Sequence, residues 1–235
     1  MDFMIAVLII CIGSYVQTSI GFGLAIIAAP ILFLLNPDFV PAPVTVSALT
    51  LSLAIAISHR HHISFKGLKF AILGRIPGTV AGGVLLLWVD QRALALWLGI
   101  SVILAVVLTL RNVVLQPTPR ALFSAGFLSG FMGTSTSIGG PPMALVLQHQ
   151  ENSFIRANLA AFFVISCCMT LLMLMAVDRF GVQEVRLALP LMPATLLGYW
   201  LAMKTLHLIS HQILRRASLI LCSFAGLAAI VSYWI

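Results

Sequence analysis

Of 235 residues, 61% are hydrophobic and 8% charged, with a mean hydropathy of +1.11. That is too little polar surface for a water-soluble domain of this length. The net charge of +7 comes from basic residues set singly between apolar runs, which fits membrane topology and anionic lipid and argues against nucleic acid.

The apolar runs reach the roughly 20 residues that a helix needs to span a hydrocarbon core of about 30 Å. They predict an all-α integral membrane protein of about eight transmembrane segments, 3–35, 42–58, 67–88, 93–110, 121–147, 157–177, 187–203 and 213–235. The first begins after "MD" with no basic flank, so it is expected to be a retained transmembrane segment, not a secretory leader. It is over-long and interrupted by the polar, glycine-bearing stretch Gln17, Thr18, Ser19, Gly21 and Gly23. The third carries Arg75 within "LGRIPGTVAGG". A charge within a span costs at least about 2.5–3.5 kcal/mol, so Arg75 either binds an anion in the protein interior or snorkels to the nearby interface. Gly74, Gly78 and Gly82, at four-residue spacing, predict a helix-packing face.

The fifth segment is also over-long and reads "GFMGTSTSIGGPP". Thr134, Ser135, Thr136 and Ser137, followed by Gly139, Gly140 and two prolines, predict a broken helix that restarts at Pro141 with free N–H groups and a positive dipole end at mid-membrane. Such amides and hydroxyls would suit an anion. The structural alternative is that small residues only permit close packing, with each hydroxyl bonded back to its own helix.

The two breaks correspond. "TSIG" recurs at a spacing of 118 residues, and "PGTVAG" (77–82) returns as "PATLLG" (193–198) at a spacing of 116. A duplicated four-segment unit follows, with halves 1–116 and 117–235 and broken helices in segments 1 and 5. Even crossings per half would make the repeats parallel, whereas a hidden re-entrant crossing would make them inverted. With one crossing per segment and the N-terminus inside, Arg60, Lys66, Lys69, Arg111, Arg120, Arg179 and Arg186 would face the cytoplasm. Arg92, Arg156, Lys204, Arg215 and Arg216 would face outward, a weak bias.

Every acidic residue (Asp2, Asp38, Asp90, Glu151, Asp178 and Glu184) lies at a segment end or in a connection, which argues against a carboxylate proton relay. Export of an anion from an inside-negative cell needs none, since the potential contributes about 2.3 kcal/mol per charge per 100 mV. The histidine groups 59/61/62 and 207/211 have no carboxylate or cysteine beside them and read as interfacial; no metal or cofactor is expected. An intramembrane serine hydrolase would want a histidine facing the "GTSTS" serines, and an aspartyl protease two intramembrane aspartates, so no enzyme is expected.

Taken together, "GFLSGFMGTSTSIGGPPMALVLQHQ", "RANLAAFF", "GSYVQTSIGFGLAIIAAPIL" and "RIPGTVAGG" resemble the sulfite exporter TauE/SafE family, the 4-toluene sulfonate uptake permeases, over nearly the whole chain. The resemblance implies a multi-pass bacterial inner-membrane permease for sulfite, sulfonates or related organosulfur anions. It adds to a candidate site of Gln17, Thr18, Ser19, Gly21, Gly23, Arg75, Thr134, Thr136, Ser137, Gly139, Gly140 and Pro141. Phe22 stands in the first copy where the second has Gly140, so the two halves are not expected to contribute equally. The rival readings are a carrier of another small organic anion and a non-transporting assembly or sensor component.

Overall fold

The computed structural model describes residues 2–110, 116–147, 152–205 and 211–231, with the side chains of Asp2, 65–67, 152–153 and 211–216 outside the description. Arg111, His149, Glu151 and His207 lie outside the described residues. No strand occurs among those described. The helices are α1 (Asp2–Ile20), α2 (Leu24–Leu35), α3 (Ala42–Ser58), α4 (Phe65–Trp88), α5 (Gln91–Leu110), α6 (Pro119–Thr136), α7 (Gly140–Leu147), α8 (Asn152–Ala176), α9 (Val182–Ala188), α10 (Leu191–Thr205) and α11 (His211–Val231). Among the described residues, six stretches are long and apolar enough to cross a membrane: Phe3–Ile20, Pro37–Ser58, Leu68–Trp88, Gln91–Leu110, Phe154–Ala176 and Val182–Thr205. α2 and Ala217–Val231 are apolar but shorter.

Polarity runs inside out. Ser14, Gln17, Arg75, Ser129, Thr134 and Thr170 are buried, while Leu87, Trp88, Leu172 and Phe224 are exposed. In lipid the exterior gains nothing from polar groups, which are satisfied only between helices.

Segment 1 is a hairpin. Gly21 (φ 91°) and Gly23 (φ 134°) take backbone angles that side chains rarely adopt, ending α1 and reversing the chain. A continuous helix would set Leu24 about 16 Å beyond Gly13; instead a Cβ at Gly13 would lie 3.1 Å from the Leu24 carbonyl oxygen. α2 returns until Phe39 meets Phe3, with ring centroids 6.3 Å apart. Segment 5 does the same. Ser137 (φ 66°) ends α6, and the chain folds back so that the Ser129 hydroxyl donates to the Gly139 carbonyl at 2.5 Å.

Glycines set the tightest packing. α4 and α6 run side by side in the same direction, with Gly74, Gly78 and Gly82 against the main chain of Phe123, Phe127 and Phe131. Gly126 and Gly130 face back onto Ala71 and Arg75. α1 and α10 also run in one direction: Gly198 packs on the Cys11 carbonyl, and the Tyr15 and Thr205 hydroxyls are 2.7 Å apart. α5 and α11 are antiparallel, Gly99 meeting Ile230 and Gly226 meeting Val102. Gly78→Ala drives a methyl into the Phe127 carbonyl, where backbone must shift. It is expected to destabilise the protein by about 1–3 kcal/mol, read as a lower Tm in detergent.

The returning arms α2 and α7 redistribute the charges. At the end of the bundle where α1 begins, Gln183 donates to Asp38 (3.1 Å) and Arg179 to the Leu86 carbonyl (3.3 Å). At the opposite end, Asn158 accepts from the Ser64 amide (2.8 Å) and donates to the His62 carbonyl (3.2 Å), and Arg156 donates to the Ser19 carbonyl (2.9 Å). Arg60, Lys66, Lys69, Arg120, Arg156, Lys204, Arg215 and Arg216 therefore share that opposite end, against Arg92, Arg179 and Arg186 at the first. Asp2, Asp38, Asp90, Asp178 and Glu184 all lie at the first end. The expected division, with Arg179 and Arg186 on the side of Arg60, is corrected, because segments 1 and 5 each return to the face they left.

Candidate functional site

The two hairpins touch where a Cβ at Gly140 would lie 3.3 Å from the Phe22 side chain. Beside them is a small cavity of about 40 Å³. Gln17, Phe22 and Gly23 line it from the first hairpin, and Ser137, Gly139 and Gly140 from the second. Thr45 of α3, Arg75 of α4, and Phe163, Ser166, Cys167 and Thr170 of α8 complete the wall.

Arg75 sits near the middle of α4 and is 3% exposed, so it does not snorkel. Its guanidinium bridges α6 and α8. Nη1 donates to the Ser129 carbonyl (2.8 Å) and hydroxyl (2.7 Å), and Nη2 donates to the Thr170 hydroxyl (2.9 Å) and the Ser166 carbonyl (3.4 Å). The Phe162 ring lies 5.7 Å from Cζ. Every one of these partners is neutral. Asp38, Asp90 and Asp178 are exposed and Glu184 half-buried, all at one end of the bundle. Among the described residues the cation is thus buried without a counter-charge, which is costly unless something else compensates it. Two buried polar atoms of residues that line the cavity, Arg75 Nε and Ser166 Oγ, have no hydrogen-bond partner.

Gln17 has two jobs. Its Oε1 accepts the Leu24 N–H (3.1 Å), satisfying the start of α2 across the break, which leaves the Nε2 hydrogens for the cavity. In the register set by the two "TSIG" motifs, Leu24 stands against Pro142, which has no N–H, and Gln17 against Ser135. The second hairpin needs no such cap. Gln17→Glu keeps the acceptor but adds a carboxylate to a cavity otherwise free of them. Because like charges brought together cost several kcal/mol, binding of an anion there is expected to weaken roughly a hundredfold while thermal stability holds.

The remaining predicted residues divide. Thr18, Ser19 and Thr136 bond back to the carbonyls of Ser14 (2.7 Å), Tyr15 (2.8 Å) and Met132 (2.8 Å), and do not line the cavity. Thr134 stands one step behind it, 3.2 Å from the Thr170 hydroxyl that holds Arg75. Ser137 reaches the cavity with its hydroxyl donated to the Pro41 carbonyl at 2.7 Å. Gly21 forms the first turn. α7 starts at Gly140, not Pro141, and with prolines at 141 and 142 its first turn keeps only the Gly140 and Met143 amides. Its N-terminus is a poorer anion cradle than the sequence predicts. Gly139 N–H is already given to the Ser137 carbonyl at 3.1 Å.

Sequence reasoning missed the wall supplied by α8. Its signal is Asn158, Phe162, Ser166 and Thr170, a stripe at four-residue spacing on one helix face within an otherwise apolar span. It also missed Ser129, the α6 anchor of Arg75. Among the described residues, no three His, Cys, Asp or Glu side chains cluster closely enough to hold a metal.

No curated protein and no solved structure gives a significant match to the chain. The family model described as "Sulfite exporter TauE/SafE" matches residues 5–229. With nearly its whole length matched, and apolar helices built to cross a bilayer several times, the chain belongs to the TauE/SafE sulfite exporter family, a family of membrane transporters.

Proposed function

We propose that this chain is a cytoplasmic-membrane permease for a small sulfur oxyanion, sulfite or a sulfonate, bound in the cavity at Arg75. The observation that carries the reading is the buried, uncompensated Arg75 cation with unpartnered donors in a cavity lined by both hairpins. An anion there supplies the missing charge and accepts several charge-assisted hydrogen bonds at once.

The two halves, 1–116 and 117–235, act as an inverted pair. In each, a hairpin that returns to its own side precedes three crossings: α3, α4 and α5, then α8, α9–α10 and α11. Three is odd, so the second half starts on the other side of the membrane. The eight segments then resolve as six single crossings and two hairpins. The pairing of α1 with α10 and of α6 with α4, each in one direction, supports this arrangement. Rocking of one half against the other would expose the cavity alternately to each side. The end carrying eight of the basic residues faces the cytoplasm, by the rule that connections rich in Lys and Arg stay inside. That basic mouth would concentrate anions for export.

The test is movement of labelled sulfite and methanesulfonate into proteoliposomes under an imposed potential. Potential-dependent uptake above protein-free vesicles is expected for both. No uptake of either would favour a different organic anion or a non-transporting component.

A further inference from the structure

The cavity carries one fixed charge. Among the described residues, Arg75 is the only Lys or Arg in its lining, which contains no Asp, Glu or His. In the register that aligns Pro77 with Pro193, Arg75 stands against Leu191, so the second half brings no matching cation. Resting on the permease reading above, the geometry points to a site that takes monoanions and rejects dianions: an alkyl sulfonate or hydrogensulfite, but not the fully ionised sulfite ion or sulfate.

Charge balance gives the first reason. A monoanion at Arg75 makes the occupied site neutral, whereas a dianion leaves a net negative charge buried with no second cation to meet it, and unpaired buried charge is strongly disfavoured. A neutral complex can also move through the protein interior with the least cost in desolvation. The donor count gives the second. Both Nη groups are committed to Ser129, Thr170 and the Ser166 carbonyl. What remains is Arg75 Nε, Ser166 Oγ and the Gln17 amide, donors for a head of three oxygens that share one charge. The apolar faces of Phe22 and Phe163 suit the side of the sulfur that bears a short alkyl group or a lone pair.

The charges that face the guanidinium are few. α6 presents Ser129 and Gly133, both uncharged. α8 presents Phe162, Ser166, Thr170 and Cys167, of which the Cys167 thiol is the one titratable group. The test therefore compares two cargoes in the same protein, so that any titration of the protein cancels.

Initial rates of labelled sulfite and methanesulfonate entering proteoliposomes are measured with pH equal on both sides. Above the second ionisation of sulfite, the ratio of the sulfite rate to the methanesulfonate rate should fall about tenfold per pH unit, because hydrogensulfite is depleted while methanesulfonate keeps its single charge. Excess sulfate should leave both rates unchanged. A ratio independent of pH, or inhibition by sulfate as strong as that by unlabelled methanesulfonate, overturns the charge selection while leaving the permease reading in place. If sulfite alone moves, a rate that follows total sulfite across pH overturns it equally. No movement of either anion defeats the permease reading, and the charge selection falls with it.

Discussion

Arg75→Met should abolish anion movement, by about a hundredfold or more, in a protein at least as resistant to heat as the native chain. Removing one member of a buried ion pair normally costs 3–5 kcal/mol, because the partner is left charged and alone. Arg75 has no such partner. Its acceptors are carbonyls and hydroxyls with other bonds: Ser129 Oγ also donates to the Gly139 carbonyl, and Thr170 Oγ1 lies 3.2 Å from Thr134 Oγ1. Methionine fills similar space without a desolvated charge, whose burial in a membrane span costs at least about 2.5–3.5 kcal/mol. Thermal unfolding in detergent and flux in proteoliposomes give the two readouts. A ligand that binds only the folded state stabilises it, by about 2.7 kcal/mol at a hundred times its Kd. Sulfite or methanesulfonate should therefore raise the Tm of the native protein and leave that of Arg75→Met unmoved. A variant that loses flux and melts much earlier would instead make Arg75 a staple between α6 and α8.

Which parts of this site the sequence could disclose follows from how local each signal is. Both breaks were legible because glycine, serine and proline act on the backbone at the residue where they stand: Gly21, Gly23 and Ser137 are where the chain turns. That the chain reverses there was not legible. Reversal depends on contacts ten or eleven residues apart, such as Gly13 against Leu24 and Ser129 against Gly139. Arg75 was visible as a charge in an apolar span, but only the third dimension decides between snorkelling and burial, since α6 and α8 supply the partners that hold it inward. Whether the hydroxyls of Thr18, Ser19 and Thr136 turn to a cavity or to their own helix is not encoded in composition. A Ser or Thr in a membrane helix always has its own i−4 carbonyl within reach, and these three use it. The glycine ladder Gly74, Gly78, Gly82 read true because four-residue spacing already defines one helix face.

Impermeant maleimide applied to intact cells should label single cysteines at Gln91 and Val182 and spare one at His61, which should react only after the membrane is opened. All three positions are exposed. The experiment uses a background in which Cys11, Cys167, Cys168 and Cys222, all free thiols, are replaced and folding is retained. The prediction is all-or-none because two independent arguments converge on it. The hairpins return segments 1 and 5 to their starting side, which puts the α4–α5 connection and the α8–α9 connection on one face and the His61 connection on the other. The basic residues then choose the face: eight gather at the His61 end against three at the other, where the described acids lie. One crossing per segment gives a different pattern, with 91 and 182 on opposite sides and 61 together with 182. Labelling of 91 and 182 in opposite senses would remove the hairpin of segment 5 and, with it, the inverted halves that alternate the cavity between two sides. Labelling of 61 alone from outside would keep the hairpins but turn the molecule over, placing the basic mouth outside the cell, where it would gather anions for uptake.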